Sequence, residues 1–495
     1  MVKEQMAKEQ YKFTSDVVIG LEVHIELATE TKLFCHCPTH NNHGKDSGIK
    51  QSGINEDIPN SRTCPVCLGH PGSKPVLNRK AVDYALMLCH ALGCKIAPEL
   101  VFSRKSYFYP DMSKNYQITQ YELPLGEKGS MKLSDSSKIG ITRVHMEEDP
   151  AAMVHPAGMA NSKYVLVDYN RSGDPLCEIV TEPELTSPEQ ARDFMKKLIT
   201  IIRYLGIFDI NRCIIKADAN ISVKESRYTR VEIKNITGFK DIEKALNYEI
   251  IRQKKDIKEG QMIRAETRAW DSQYGVTRSM RLKETEADYG YIIDPDLVPI
   301  EITDDWIKKT KDKMPEMPDD KVKKYMHDFR LAREDAEVIT ADKELAEMLE
   351  AVAKETDPVL AAKWIRRELV RCLNYNKLEL SEVDIKPKHI ISLLNLIEKK
   401  RITDTTGQKI MEKLVIKPFD VEKYVGKEGL EAVSDTADLE KFCDEAIREN
   451  PKAVEDFMAG SEKSFNSLVG SVMKKTSGKA DPKVVRKIIL GKLNS

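Results

Sequence analysis

The stretch VVIGLEVHIEL, residues 17–27, decides the fold class of the first part of this chain. Polar and apolar residues alternate along it, so that Glu22, His24 and Glu26 share one face while aliphatic residues share the other. A period of two is typical of a β-strand, and a continuous apolar face is typical of a strand that covers a core. The stretch therefore predicts a strand with one buried face and one titratable face.

Working outward, similar alternation recurs at residues 163–169 and 230–234, and helical patterns lie between these strands. A capping box at residues 187–190 begins one helix, which Gly206 ends. A second helix is predicted from residue 78 to about residue 92. Residues 1–300 therefore predict a large α+β domain.

The pattern changes after residue 300. Residues 314–318, MPEMP, interrupt regular structure, and helical periodicity then continues to about residue 414. A second break, IKPF at 416–419, precedes another helical stretch. A length of 495 residues suits about three domains. We predict an α+β domain at 1–300, an all-helical domain at 301–415 and a small helical tail at 416–495.

Composition excludes several classes of protein. Hydrophobic residues make up 41% and charged residues 32%, which is typical of a globular protein. A net charge of −1 excludes a uniformly basic nucleic-acid binder. No apolar window is long enough to span a membrane, and the first residues lack the apolar region of a signal peptide. Ten cysteines without such a signal favour a reducing compartment, so we expect a cytoplasmic protein without disulfides.

Four of these cysteines form two closely spaced pairs, Cys35 with Cys37 and Cys64 with Cys67. Two thiolate pairs joined by a loop can complete a tetrahedral zinc shell. Full cysteine coordination leaves no open position, so the predicted zinc at segment 35–67 is structural. Nearby histidines could each replace one ligand: His36, His40, His43 and His70.

Acidic residues cluster near the ends of the predicted strands, and they include Glu147, Glu148, Glu178 and Asp218. Mg²⁺ binds one or two carboxylates together with water and substrate phosphate oxygens, so these residues are candidate ligands. Each alone is more typical of a solvated or salt-bridged residue. The common phosphate-binding loops and the glycine- and serine-rich segment of an amidase nucleophile are absent from the sequence.

The end of the chain is basic, with eight basic and two acidic residues between 461 and 495. This pattern is compatible with a solvated helix face or with a surface that contacts nucleic-acid phosphates. The basic residues that we select as candidate tRNA contacts are Lys474, Lys475, Lys479, Lys483, Arg486 and Lys487.

Several motifs occur in one order along nearly the whole chain: GLEVH at 20–24, CLGHPG at 67–72, RKSYFYPD at 104–111, HMEED at 145–149, DYNRSGDPLCEIV at 168–180, DAN at 218–220 and EIKN at 232–235. Together they resemble the GatB family, the B subunits of aspartyl/glutamyl-tRNA amidotransferases. The stretch VMKKTSGKADP at 472–482 is similar to the family's YqeY-like tail domain.

This resemblance implies a cradle-like catalytic domain with a zinc knuckle at 1–300 and a tRNA-binding tail. It also implies a function, in which ATP and Mg²⁺ are used to phosphorylate the side-chain carboxylate of Asp-tRNA(Asn) or Glu-tRNA(Gln). Ammonia then amidates that carboxylate. The implied partners are the amidase subunit GatA, which supplies the ammonia, the small subunit GatC and the misacylated tRNA.

Site residues follow from the same resemblance. Glu22, His24, Glu148 and Glu178 correspond to the kinase site, and the last three correspond to magnesium ligands. Lys105 and Lys114 correspond to residues near the exit of the ammonia channel. Asp218, Asn220, Lys234 and Asn235 are candidate contacts for ATP or the aminoacyl group. The chain departs from the family at Lys216 and Gly290, where the family has arginine.

Three other interpretations stay open at this point. A GatE-type subunit would act only on Glu-tRNA(Gln), but such subunits carry an inserted domain for which residues 300–410 leave no room. A non-catalytic tRNA-binding scaffold would retain full transamidation after Glu148→Gln, whereas an enzyme would lose it. A free-standing ATPase stabilised by zinc would not co-purify with an amidase subunit.

Overall fold

The structure is a computed structural model that describes residues 16–39, 58–157, 162–210, 212–282, 289–432, 436–476 and 480–493. The chain forms two compact units, Met1–Met317 and Pro318–Ser495. None of the helices in the described ranges combines the length and the apolarity needed to cross a bilayer.

A nine-stranded sheet organises the first unit, in the spatial order β14-β13-β12-β11-β1-β10-β7-β6-β2. Neighbouring strands are antiparallel except for the parallel pair β12 and β13. The strands of this sheet are β1 (Val17–Glu26), β2 (Lys95–Ile96), β6 (Gly126–Lys132), β7 (Lys138–Glu148), β10 (Pro175–Thr181), β11 (Ile215–Val223), β12 (Val231–Thr237), β13 (Glu266–Asp271) and β14 (Val276–Leu282).

The central strand of this sheet is β1, the stretch that opened the sequence analysis. Its aliphatic residues Ile19, Leu21, Val23 and Ile25 are at most 1% exposed, and they belong to the main hydrophobic core. Four helices of the unit contribute residues to the same core: α1 (Arg79–Ala91), α2 (Pro188–Leu205), α3 (Phe239–Lys258) and α4 (Asp304–Asp312). The strand prediction, with its one buried face, is therefore confirmed.

Local sequence signals set the ends of these helices. Asn78 caps α1 by accepting hydrogen bonds from the backbone N–H groups of Lys80 and Ala81. Ser187 caps α2 in the same way, and Gly206 ends that helix with φ at 68°. Glycine suits this position because L-residues with a side chain rarely adopt positive φ.

Smaller sheets complete the first unit. A three-stranded sheet has the order β15-β4-β5, and β3 pairs with β16 while β8 pairs with β9. Their bounds are β3 (Glu99–Leu100), β4 (Ser103–Ser106), β5 (Tyr116–Thr119), β8 (Ala152–Val154), β9 (Leu166–Asp168), β15 (Gly290–Ile293) and β16 (Ile300–Glu301). The predicted strand at 163–169 is therefore present only as the short β9.

The second unit is helical throughout its described residues. A π-helical turn at Ile365–Leu369 joins α8 to α9. Its helices are α5 (Pro318–Asp328), α6 (Arg333–Thr340), α7 (Lys343–Val352), α8 (Pro358–Trp364), α9 (Val370–Asn376), α10 (Pro387–Glu398), α11 (Asp404–Ile416), α12 (Val421–Lys427), α13 (Thr436–Glu449), α14 (Pro451–Met458), α15 (Glu462–Lys475) and α16 (Pro482–Leu493).

The described residues between Leu439 and Ile489 form a separate hydrophobic core, built by α13, α15 and α16. By contrast, α12 packs on α10, and Ala432 donates a backbone hydrogen bond to Arg401. The fold class, α+β followed by helical regions, is confirmed. The division at 300 and 416 stays a prediction, and this packing favours a tail that begins after Ala432.

Candidate active site

The largest cavity of the first unit lies on the titratable face of β1 and has a volume of about 990 Å³. One wall is the polar face of the large sheet, to which β1, β7, β10, β11 and β12 contribute. The other wall is the three-stranded sheet β15-β4-β5 with residues that follow its strands.

One row of charged and titratable side chains crosses the large sheet inside this cavity. His24 on β1 is paired in register with Lys216 on β11 and with Glu178 on β10, and Glu178 is paired with His145 on β7. All four side chains line the cavity. Cross-strand neighbours are close enough to interact directly, so the sheet register itself assembles the site.

Three cavity residues form a group that could hold a metal ion. One ligand atom each from His24, Glu147 and Glu178 lies within 4.8 Å of the others. The Nε2 atom of His24 is 3.5 Å from a carboxylate oxygen of Glu147 and 3.5 Å from one of Glu178. Two carboxylates and an imidazole around one point fit a divalent cation that keeps open positions for water or substrate oxygens.

The electrostatics of this group centre on His24. Burial alone would lower the pKa of its imidazole, but the hydrogen bond and charge of Glu178, together with Glu147, raise that pKa to about 10. Burial would raise the pKa of Glu178, yet His145 and His24 hold it well below its usual range. Burial and Glu178 raise the pKa of Glu147. Without a metal, a protonated His24 therefore acts as the counter-ion of the two carboxylates.

Glu148 does not join this group, contrary to the prediction. It is 5% exposed, and its carboxylate accepts hydrogen bonds from Lys114 Nζ at 2.5 and 2.7 Å and from the Ile118 backbone at 2.8 Å. The physical reason is the strand period. Glu148 has the same phase on β7 as the buried Met146, whereas Glu147 has the phase of the cavity-lining His145.

The two predicted lysines are also separated. Lys105 on β4 lines the cavity, and its Nζ is 4.8 Å from the ring centroid of Tyr289. Lys114 does not line the cavity, because its ammonium group is buried against Glu148 with the side chain 9% exposed. Lys105 therefore remains a candidate contact for an anionic substrate, and Lys114 acts within the protein.

The predicted nucleotide contacts meet at an irregularity between β11 and β12. The register shifts there, so that Asp218 stands opposite both Lys234 and Asn235. The Lys234 ammonium donates a hydrogen bond of 2.7 Å to Asp218, and the Asn235 backbone, at φ 64°, donates to the same carboxylate. Asn220 donates to Glu22 at 2.9 Å. A bulge of this kind re-aims side chains, here toward the cavity that Asp218, Lys234 and Asn235 line.

The four predicted cysteines come together. The sulfur atoms of Cys35, Cys37, Cys64 and Cys67 lie within 4.8 Å of one another, and those of Cys64 and Cys67 are 3.9 Å apart. A tetrahedral zinc with bonds of about 2.3 Å separates its sulfur ligands by about 3.8 Å. The group could therefore hold a metal such as zinc. His36 and His70 are exposed, and His40 and His43 lie outside the described residues.

Charge around the cysteines favours metal binding. A hydrogen bond from the Cys35 thiol and the charge of buried Lys32 lower the pKa of Cys67 to about 5. Burial and Cys67 raise the pKa of Cys37 to about 12. A metal ion that draws all four groups into the thiolate form would therefore release protons as it binds.

The cysteine loop packs close to the Lys114–Glu148 pair. Ser113 donates a hydrogen bond of 2.7 Å to the Cys67 carbonyl. Gly69 has φ at 67°, and a Cβ atom there would approach Cγ of Lys114 to 2.5 Å. The loop therefore supports the residues next to the cavity but contributes no lining residue to it.

The predicted tRNA contacts of the tail differ in their surroundings. Lys474, Lys483, Arg486 and Lys487 are exposed, and Lys479 lies outside the described residues. Lys475 instead pairs with two carboxylates of α13, Glu445 and Glu449, both at 2.8 Å. The exposed residues remain candidates for phosphate contacts.

Sequence reasoning missed several residues that line the cavity. Glu147 could have been found from the alternation of polar residues at 143, 145, 147 and 149, which gives the cavity phase of β7. Arg143 has the same phase. The tyrosines of the other wall, at 121 and 291, carried no signal without the fold.

Comparison with known proteins places this arrangement. Residues 17–308 match the family described as the GatB/GatE catalytic domain, and residues 347–493 match the family described as the GatB domain. Two similar proteins are the aspartyl/glutamyl-tRNA(Asn/Gln) amidotransferase subunits B of Carboxydothermus hydrogenoformans, 43% identical over 97% of this chain and 98% of its own length, and of Thermodesulfovibrio yellowstonii, 44% identical over 96% and 98%. Its counterpart in Methanococcus maripaludis is 41% identical over 96% of this chain and 98% of its own length. The chain therefore belongs to the family of aspartyl/glutamyl-tRNA(Asn/Gln) amidotransferase B subunits.

Proposed function

We propose that this chain is the ATP-dependent subunit of a tRNA-dependent amidotransferase. It phosphorylates the side-chain carboxylate of Asp-tRNA(Asn), Glu-tRNA(Gln) or both, and then amidates that carboxylate. The observation that carries the proposal is the group of His24, Glu147 and Glu178 at the centre of a cavity large enough for two substrates.

The chemistry needs two steps because a carboxylate is a poor electrophile. A carboxylate oxygen of the aminoacyl side chain attacks the γ-phosphorus of ATP, the bond to ADP breaks, and an acyl phosphate forms. Ammonia then attacks the acyl carbon and loses a proton, and inorganic phosphate leaves. Such phosphoryl transfer depends on positioning and on positive charge more than on covalent help from the protein.

The residues of the cavity supply these requirements. His24, Glu147 and Glu178 would hold Mg²⁺, and the bound metal would neutralise charge on the phosphate oxygens. Lys105 and Lys216 line the same cavity and would contact the phosphate or the carboxylate. Lys234, oriented by Asp218, and the adjacent Asn235 would contact the nucleotide or the aminoacyl group. Glu22, held by Asn220, completes the acidic side of the site.

Partners follow from the reaction. The similar proteins are named as subunits B, which implies further subunits, and the proposed ones are the amidase GatA and the small subunit GatC. GatA would release ammonia from glutamine, and the exposed basic residues of the tail would contact the tRNA. Zinc bound by the four cysteines would be structural. A GatE-type subunit finds no support in the comparisons, and a location in the cytoplasm stays a prediction.

The test is a reconstituted reaction. The chain is co-expressed with GatA and GatC and supplied with glutamine, ATP, Mg²⁺ and either Asp-tRNA(Asn) or Glu-tRNA(Gln). Amide formation on one or both tRNAs is the expected result and identifies the substrate. Glu147→Gln and Glu178→Gln should abolish it, while Glu127→Gln, on the exposed side of β6, should not.

Two outcomes would contradict the proposal. Full amidation by Glu147→Gln and Glu178→Gln would mean that the chain is a tRNA-binding scaffold. ATP hydrolysis by a chain that neither assembles with GatA nor amidates tRNA would mean that it is a free-standing ATPase.

A further inference from the structure

Four tyrosines lie on one wall of the cavity: Tyr107, Tyr121, Tyr289 and Tyr291. The small sheet places them there through its register. Tyr291 on β15 pairs with Lys105 on β4, which pairs with Gln117 on β5, and all three line the cavity. The remaining tyrosines follow or precede these residues at even spacing, so they have the same phase.

The geometry of these tyrosines is that of two ring pairs. Tyr121 and Tyr291 are stacked, with centroids 3.8 Å apart and planes inclined by 15°. Tyr107 and Tyr289 meet edge to face at 5.9 Å, and the Lys105 ammonium lies 4.8 Å from the Tyr289 centroid. Tyr121 is 39% exposed although it lines the cavity, so part of the stacked pair is accessible to a ligand.

The facing part of the cavity has a different composition. Among the described lining residues on and beside β11, β12 and β13, none is aromatic, and most are charged: Lys216, Asp218, Arg230, Glu232, Lys234, Asn235, Ala265 and Thr267. Charged groups and amides suit phosphate and metal, whereas tyrosine faces next to a lysine suit a flat ring that carries a phosphate. The cavity is therefore divided between two kinds of ligand chemistry.

We propose that the tyrosine wall, defined by Tyr107, Tyr121, Tyr289 and Tyr291, is a stacking subsite for an adenine base. The proposal rests on the function proposed above, in which two substrates carry adenine. One is ATP, and the other is the aminoacyl-tRNA, whose aminoacyl group is attached to a 3′-terminal adenosine. Base stacking on aromatic side chains is a general mode of nucleotide binding, and Lys105 supplies a cation for the adjoining phosphate.

The test uses a fluorescent base whose emission falls when it stacks. The assembled complex is titrated with 2-aminopurine riboside triphosphate, and separately with tRNA that carries 2-aminopurine at its 3′ end. Tyr121→Ala and Tyr291→Ala remove the stack, and Tyr121→Phe and Tyr291→Phe keep the rings. Tyr274→Ala is the matched control, because Tyr274 is 67% exposed in the same unit and does not line the cavity.

We expect the wild-type complex to quench one of the two probes, and the probe that is quenched identifies the substrate. The alanine variants should lose that quenching and raise the KM for the corresponding substrate about fivefold or more, with kcat and the other KM within about twofold. The phenylalanine and Tyr274→Ala variants should behave as wild type.

Three results would overturn the subsite. One is that neither probe is quenched, and another is that quenching survives both alanine substitutions. The third is that both signals fall together with the melting temperature, since the tyrosines would then only support the small sheet. Quenching needs no turnover, so an inactive wild-type complex would contradict the proposed function while the stacking result is judged separately.

Discussion

The two candidate metal groups of the first unit are built on opposite principles. The four cysteines lie within residues 35–67, on a loop that the sequence itself brings back toward its start. The group of His24, Glu147 and Glu178 draws one residue from each of three strands that the sheet makes adjacent. The first group is local in the chain, and the second exists only when the sheet has formed.

The groups also differ in how their charge is balanced. Four thiolates repel one another and have only Lys32 as a nearby cation, so a metal must hold them together. In the second group a protonated His24 already balances two carboxylates. We therefore expect the cysteine group to need its metal for folding and the other group to need its metal only for function.

The largest expected effect is the loss of the cysteine metal. Cys64→Ser should remove zinc and unfold the first unit, because structural zinc contributes about 10 kcal/mol or more and a whole domain is stable by only about 5–15 kcal/mol. Zinc content and thermal unfolding measure this. Cys94→Ser is the control, since Cys94 is also only partly buried but lies outside the group. A zinc-free variant with wild-type stability would contradict the comparison.

The second effect concerns Glu147. Glu147→Gln should lower amidation about 10³-fold, which corresponds to about 4 kcal/mol of transition-state stabilisation lost with the metal. Its free energy of unfolding should stay the same or increase, because a buried carboxylate no longer has to be desolvated. Denaturant unfolding beside the amidation assay separates the two. A large loss of stability would mean that this group, like the cysteines, supports the fold.

The neighbouring residue should behave in the opposite way. Glu148→Gln leaves the buried Lys114 ammonium without its partner, and we expect a loss of about 3 kcal/mol in the free energy of unfolding. Amidation per folded molecule should fall less than in Glu147→Gln. The double variant Glu148→Gln with Lys114→Met should recover part of the stability, and no recovery would argue against the pair.

A smaller effect is the pH dependence of metal binding at His24. The imidazole pKa of about 10 means that His24 is protonated at neutral pH without metal, and a metal ligand must be neutral. Binding therefore releases a proton, and Mn²⁺ affinity, measured as a stand-in for Mg²⁺, should rise about tenfold per pH unit between pH 6 and 8. His24→Asn should flatten this slope, and an equal slope in that variant would assign the proton elsewhere.

The smallest effect extends the comparison to the tail. Lys475 has its own carboxylate partners, as His24 does, whereas Lys487 is exposed. Lys487→Ala should weaken tRNA binding and reduce the slope of log affinity against log salt by about 1, while Lys475→Ala should change that slope by less. Filter binding at several salt concentrations measures this, and equal slopes for the two variants would show that Lys475 also contacts phosphate.

Much of this molecule was accessible from the sequence because the deciding signals were local. Alternation over residues 17–27 predicted the central strand, cap residues set the ends of α1 and α2, and two closely spaced cysteine pairs predicted a metal group. The resemblance to the GatB family gave most of the cavity residues. Each of these signals lies within a short stretch of chain, where backbone geometry alone decides which side chains meet.

Tertiary structure decided the rest, because it depends on which strands become neighbours. The sheet register put His24 beside Glu178, and the phase of β7 aimed Glu147 into the cavity while Glu148 turned toward Lys114. Two adjacent glutamates look alike in a motif, yet on a strand they occupy opposite faces and meet different partners. The sequence alone determined the elements and the kinds of chemistry, and long-range pairing determined which of those residues share one site.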